Sequence, residues 1–118
     1  MSAEEYVFGI LSADAGVAAL VGDRVFPELI PEELPVPAIV YLRASTEPIT
    51  TIHGPTVGEF VTFGIQCWAK TSEDSGKVAD AVEAAIKAAG EAPSNRLSSV
   101  DDATGLSGVS IDLRVFVA

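Results

Sequence analysis

One histidine, one cysteine and a pair of adjacent aspartates are the residues of this 118-residue chain whose types could support catalysis or metal binding. His53 stands in the Thr51-Ile52-His53-Gly54-Pro55 segment, where an imidazole could ligate a metal or take a proton. A metal site needs three or four ligands, and neither a second histidine nor a paired cysteine accompanies it, so a polar turn residue is the better reading. Cys67 alternates with Phe63 and Ile65 and is expected to point inward, where a thiol behaves as a small inert hydrophobe. Asp101 and Asp102, with Asp112 nearby in sequence, could be imagined around a cation. Hard cations want six or more oxygens, however, and two adjacent acids in a turn are ordinarily solvated. The chain has no glycine-rich phosphate loop and no nucleophile-elbow pattern, so the residues assemble no usual catalytic constellation. The expectation is a non-enzyme with no cofactor and no metal.

Charge narrows the partners. Seven Lys and Arg against seventeen Asp and Glu give a formal net charge of -10, which repels phosphate and leaves no cationic surface to release counterions from DNA. The same repulsion would let a duplex slide past without sticking. A lone cysteine excludes an intrachain disulfide and fits a reducing compartment. No apolar run approaches the ~18 residues that a membrane span requires, and the N-terminus carries Glu4 and Glu5 where a signal sequence would carry basic residues. No membrane association is expected. The length and the 48% hydrophobic content suit one core and one domain, residues 1–118.

The elements that must carry these residues follow from periodicity. Ser2 and Glu5 have capping-box spacing, and Tyr6, Val7, Ile10 and Leu11 form one stripe of a helix near 3–13. Asp14 is placed to cap a second, shorter helical piece carrying Val17, Leu20 and Val21, with Gly22 as its left-handed stop. Pro27, Pro31, Pro35 and Pro37 then allow only a short edge strand at Val25-Phe26. Residues 38–43 are a β-rich run, and 59–69 alternate with Val61, Phe63, Ile65 and Cys67 on one face. From Thr71 or Ser72 the best helix of the chain carries Val78, Val82, Ala85, Ile86 and Ala89 on its apolar stripe and ends at Gly90. A short strand at 96–100, a turn at Asp101, Asp102, Thr104 and Gly105, and a clear strand over 109–117 complete the chain. The fold class is α+β: an antiparallel or mixed sheet of four to five strands with two helices, the first of them broken, packed on one face.

Residues 45–58 are long for a connection between adjacent antiparallel strands and contain only Glu47 as a charge, so they read as a projecting hairpin arm. Ile49, Ile52 and Val57 have little core to reach out there, and exposed apolar surface usually marks a contact. Phe60 and Trp68 alternate away from the core face. Aromatics are enriched at interface cores, which favours a partner subunit over a covering loop. With Arg43, Arg114 and Phe116 as further outward strand residues, and His53 at the arm tip, these form the expected subunit or tube interface. Asp101 and Asp102 are candidates for a lumen.

Several blocks, in order along nearly the whole chain, resemble the phage tail terminator or tail completion family common in prophages. They are Leu11-Ser12-Ala13-Asp14 running into Gly22-Asp23-Arg24-Val25-Phe26-Pro27; Leu34-Pro35-Val36-Pro37 before the strand at 38–41; Ile65-Gln66-Cys67-Trp68-Ala69 before the helix at Val78-Ala79-Asp80-Ala81-Val82; and Thr104-Gly105-Leu106 before the closing strand. Glu91 to Ala103 is more polar than the family's pattern. The resemblance implies a ring of six copies in the virion, at the head-proximal end of the tail, made in the host cytoplasm. Such a ring caps the tail tube, stops its polymerisation and offers a docking surface to the head connector, while phage DNA passes through its lumen without specific binding. Two alternatives remain from the residues: another head-tail joining or head-completion protein, and a non-catalytic small-ligand binding module.

Overall fold

A computed structural model describes residues 2–27, 35–50, 52, 54, 56–101 and 105–117. The element order is α1 (Ala3–Ala13), α2 (Ala15–Val21), β1 (Val25–Pro27), β2 (Ala38–Thr50), β3 (Thr56–Ala69), α3 (Ser72–Ala88), β4 (Pro93–Val100) and β5 (Ser107–Val117). The strands form one mixed sheet in the order β1-β2-β3-β5-β4. β1 is parallel to β2, and every other pairing is antiparallel.

Local chemistry sets the helix boundaries. Ser2 Oγ accepts the Glu5 amide at 3.1 Å to start α1, and Asp14 Oδ1 accepts the Val17 amide at 3.0 Å to start α2. Asp14 is thus both the C-cap of one helical piece and the N-cap of the next. Gly22 closes α2 with φ 61 and ψ -125, a backbone region that only glycine enters cheaply. Thr71 caps α3. At its other end Gly90, at φ 85, donates to Lys87 O and Glu91 donates to Ile86 O, which is the Schellman pattern.

All three helices lie on one face of the sheet and share its core. Val7 and Leu11 of α1, Val17 and Val21 of α2 and Val78, Val82 and Ile86 of α3 pack on Ile39, Phe63, Ile65, Ile111 and Leu113. On the opposite face the alternate residues of β2, β3 and β5 form an open surface, covered only at one end by a small cluster of Ala38, Val40 and Trp68 with Phe26, Val36 and Leu106.

All five strands exceed the spans read from sequence, three of them by more than two residues. β4 begins at Pro93 instead of Arg96 and forms an edge of the sheet despite its polarity, because its ladder with β5 supplies pairing that side-chain pattern does not reveal. β2 and β3 run on into the arm as continuous strands. A bulge between Arg43 and Ser45 shifts the register at the arm's base.

Candidate functional site: the arm and its base

The arm differs from an isolated hairpin. β5 accompanies β3 as far as the Glu59–Val117 pair, so the base of the arm is three strands wide and only the tip beyond it is two-stranded. The molecule is correspondingly elongated, with extents of 51 × 30 × 21 Å. At the tip Ile52 is 94% exposed and Val57 52% exposed, while Ile49 is half-buried.

Ion pairs fasten the base on both faces. On the open face Arg114 of β5 reaches across the neighbouring strand: its guanidinium lies 4.0 Å from the Phe60 ring centroid and bonds Glu47 of β2 at 2.9 Å. Phe60 in turn meets Phe116 edge-on, with ring centroids 5.5 Å apart. Gly58 lies under that ring, where a Cβ would stand 2.6 Å from Phe116 Cζ and 2.8 Å from the Val117 carbonyl. On the helix face Arg43 donates to both carboxylate oxygens of Glu4, at 2.7 and 3.0 Å, and to Thr46 at 2.9 Å, with Glu59 3.8 Å away. The Arg43 hydrogen bond holds the Glu4 carboxyl below its ordinary value. Bidentate pairing of this kind fixes orientation as well as distance.

The candidate interface residues therefore divide. Ile49, Ile52, Val57, Phe60, Arg114 and Phe116 gather at the arm and its base, with Phe116 53% exposed. Arg43 lies on the helix face, opposite Phe63, and holds Glu4 of its own chain, so it is not one of the outward strand residues. Trp68 stands at the far end of the sheet and is only 7% exposed. It packs on Gly108, where a Cβ would meet its ring at 2.8 Å, and its indole N–H donates to Gln66. The chain itself covers this aromatic, contrary to the reading that left it to a partner. Asp101 lies at the end of the sheet away from the arm, where its backbone closes the turn with Gly105 and Leu106, and Asp112 sits well up β5 beside Asn95. His53 and Asp102 fall outside the described residues.

Glu47 and Glu4 were missed as site residues. Glu47 had a signal in being the only charge of its segment, but its partner is two strands away. Leu97 and Val100 of β4, 61% and 63% exposed, were missed as well. Cys67 is fully buried, and burial pushes its thiol up to about 12. Among the described residues no three of His, Cys, Asp or Glu group closely enough to hold a metal ion, and no helix is long and apolar enough to cross a membrane.

The model of the family described as tail completion protein gp17 matches residues 5–118. The chain belongs to that family. Tail completion proteins are structural proteins of the virion, so this tail completion protein has a structural role in a phage-type tail and its place is the virion tail. No curated protein matches it. Among solved structures, a chain of the virion of the native gene transfer agent (GTA) particle superposes with a TM-score of 0.77 at 20% identity, covering 94% of this chain and 90% of that one. At that identity the likeness concerns the fold. The α+β architecture of this tail completion protein is thus one that also occurs in a virion particle.

Proposed function

We propose that this tail completion protein is a tail terminator: copies of it form a ring that caps the tail tube, stops its polymerisation and presents the docking surface for the head connector. The observation that carries this reading is the projecting arm, braced at its base, with the exposed apolar Ile52 at its tip. Ile52 is 94% exposed, with no described residue covering it, and the Arg114–Glu47 and Arg43–Glu4 pairs brace the base of the arm on its two faces, which lowers the entropy that docking must remove. The tip is the part that reaches a neighbouring copy or the tube, and the open sheet face around Phe60 and Phe116 adjoins it. Repeated around an axis, a contact between two different surfaces of identical chains closes into a ring.

The charge pattern supports free passage of DNA through that ring. Each of the four arginines donates to an acceptor of its own chain: Arg24 to Pro37 O, Arg43 to Glu4, Arg96 to Asp80 and Arg114 to Glu47. With a net charge of -10 and its guanidinium groups occupied, the protein presents phosphate with repulsion.

The test is the mass of the assembled species across a concentration series, with end-on micrographs and added tail tube protein. A ring-sized species that decorates tube ends and shortens tubes is expected. Ile52→Asp should weaken tube or ring formation at least tenfold and leave the melting temperature of the monomer unchanged. A chain that stays monomeric at every concentration and ignores tubes would overturn the reading.

A further inference from the structure

From the unguarded edge of β4 we infer that neighbouring copies join by antiparallel pairing of β4 in one copy with the free half of β2 in the next, so that the sheet itself continues around the ring. This rests on the ring reading above and specifies its contact.

A sheet edge exposes a row of backbone donors and acceptors, and proteins that remain monomeric blunt such edges with lysines, prolines, bulges or very short strands. β1 is blunted in this way: it has three residues and ends in Pro27. β4 is not. It has eight residues, Pro93 stands only at its start, and the register is unbroken from Asn95 to Val100. Its one charged side chain, Arg96, is turned away from the edge onto α3, bonding Asp80 at 2.8 Å and Glu83 at 3.3 Å. Leu97 and Val100 remain 61% and 63% exposed on the two sides of the strand. Among the described residues nothing pairs with this edge.

The occupant is a second copy because the opposite side of the same sheet offers the complementary edge. Among the described residues β1 pairs with β2 only at Ile39, Val40 and Tyr41, and none of them pairs with the outer side of β2 from Leu42 to Thr50. Register shifts between Arg43 and Ser45 and between Ile49 and Thr50 leave Ser45 to Ile49 as the regular part of that stretch, and Pro48 within it removes a single donor. Direction fits as well. β4 runs antiparallel to β5, β5 to β3 and β3 to β2, so β4 and β2 run oppositely across the sheet, and side-by-side copies place them antiparallel.

The stagger is also the one that closure needs. Leu97 stands level with Ser110, Gln66 and Val40 across the sheet, whereas the middle of the free half of β2 lies about five to six residues further on. At ~3.3 Å per residue that is a shift of ~16–20 Å, against a five-strand width of ~24 Å at ~4.8 Å per strand. The resulting inclination, ~35–40°, lies within the ~35–45° strand tilt of closed barrels, and it does not depend on how many copies the ring contains.

The experiment uses the full chain. Adjacent residues of a strand present their N–H groups to opposite sides, so of Ser98→Pro and Ser99→Pro one breaks the ladder to β5 and the other removes only an outward donor. The variant that keeps the monomer's melting temperature is the informative one, and it should raise the concentration for half-assembly at least tenfold. Leu97→Cys combined with Ser45→Cys, both on the open face of the sheet, should give covalent ladders up to the full ring on oxidation, without interference from the buried Cys67. Rings that form normally with the outward proline and never cross-link would overturn the edge pairing and leave the ring reading standing. Leu97→Cys alone giving efficient dimers would overturn it in favour of a symmetric β4–β4 contact. A wild-type chain that never assembles removes the ring reading and this one together.

Discussion

Three glycines separate two effects at single residues. Gly58 and Gly108 lack a Cβ because Phe116 with the Val117 carbonyl, and the Trp68 ring, occupy the space at 2.6 to 2.9 Å. Replacing either with alanine forces neighbouring atoms apart and should destabilise the fold by about 1–3 kcal/mol, measurable by urea denaturation. Gly9 lies within α1 with nothing within 4 Å of an added Cβ, so Gly9→Ala should stabilise by about 0.5–1 kcal/mol. Were all three to behave alike, the packing described at Gly58 and Gly108 would be wrong. Cys67 gives a second residue-scale prediction. Its thiol rises from an ordinary 9.0 to about 12 through burial, so the folded chain holds the proton where the unfolded chain has released it. The contribution is fully present below pH 9 and is lost as pH climbs from 9 towards 12. Thiol reagents at neutral pH should therefore label Cys67 only on unfolding, and rapid labelling of the native chain would contradict its burial. Neither glycine contact was legible in the sequence, since each depends on a cross-strand register that a single strand does not encode. The inward direction of Cys67 was legible, from strict alternation with Phe63 and Ile65.

At the scale of elements, the helix boundaries came from local chemistry and matched. Ser2, Asp14 and Thr71 cap, and Gly22 and Gly90 stop, because each interaction involves residues within a few positions of one another. Asp14→Ala should cost about 1 kcal/mol, and α2, only seven residues long, should lose amide protection before α1 or α3 in hydrogen exchange. Loss of protection spread evenly over the three helices would argue that Asp14 is not the hinge between α1 and α2. β4 was read three residues short because its outward side chains are polar or exposed. An edge strand has partners on one side only, so its hydrophobic pattern is weak and its existence rests on the ladder to β5. The arm was legible as an excess of length and a shortage of charge. The bracing of its base was not, because Arg114 reaches Glu47 across an intervening strand and Arg43 reaches Glu4 from a different element.

For the whole molecule, composition and sequence order determined more than they usually do. The acidic balance, the lack of grouped catalytic residues and the ordered blocks from Leu11 to the closing strand pointed to a structural tail protein, and family membership bears that out. The α+β class followed from alternation and 3.6-residue periodicity, which are properties of the chain read locally. Tertiary structure alone decided which outward residues stay outward. Trp68 and Phe60 lie on the same strand face with the same alternation, yet Phe26, Val36 and Leu106 close over the first while the second stays partly open beside the exposed Phe116. It also decided which edge is left without a partner, since strand order β1-β2-β3-β5-β4 puts the proline-bearing β1 at one side and the unguarded β4 at the other. Side-chain pattern is written residue by residue; coverage and edges depend on which distant segments come to lie side by side, and only the folded chain brings them together.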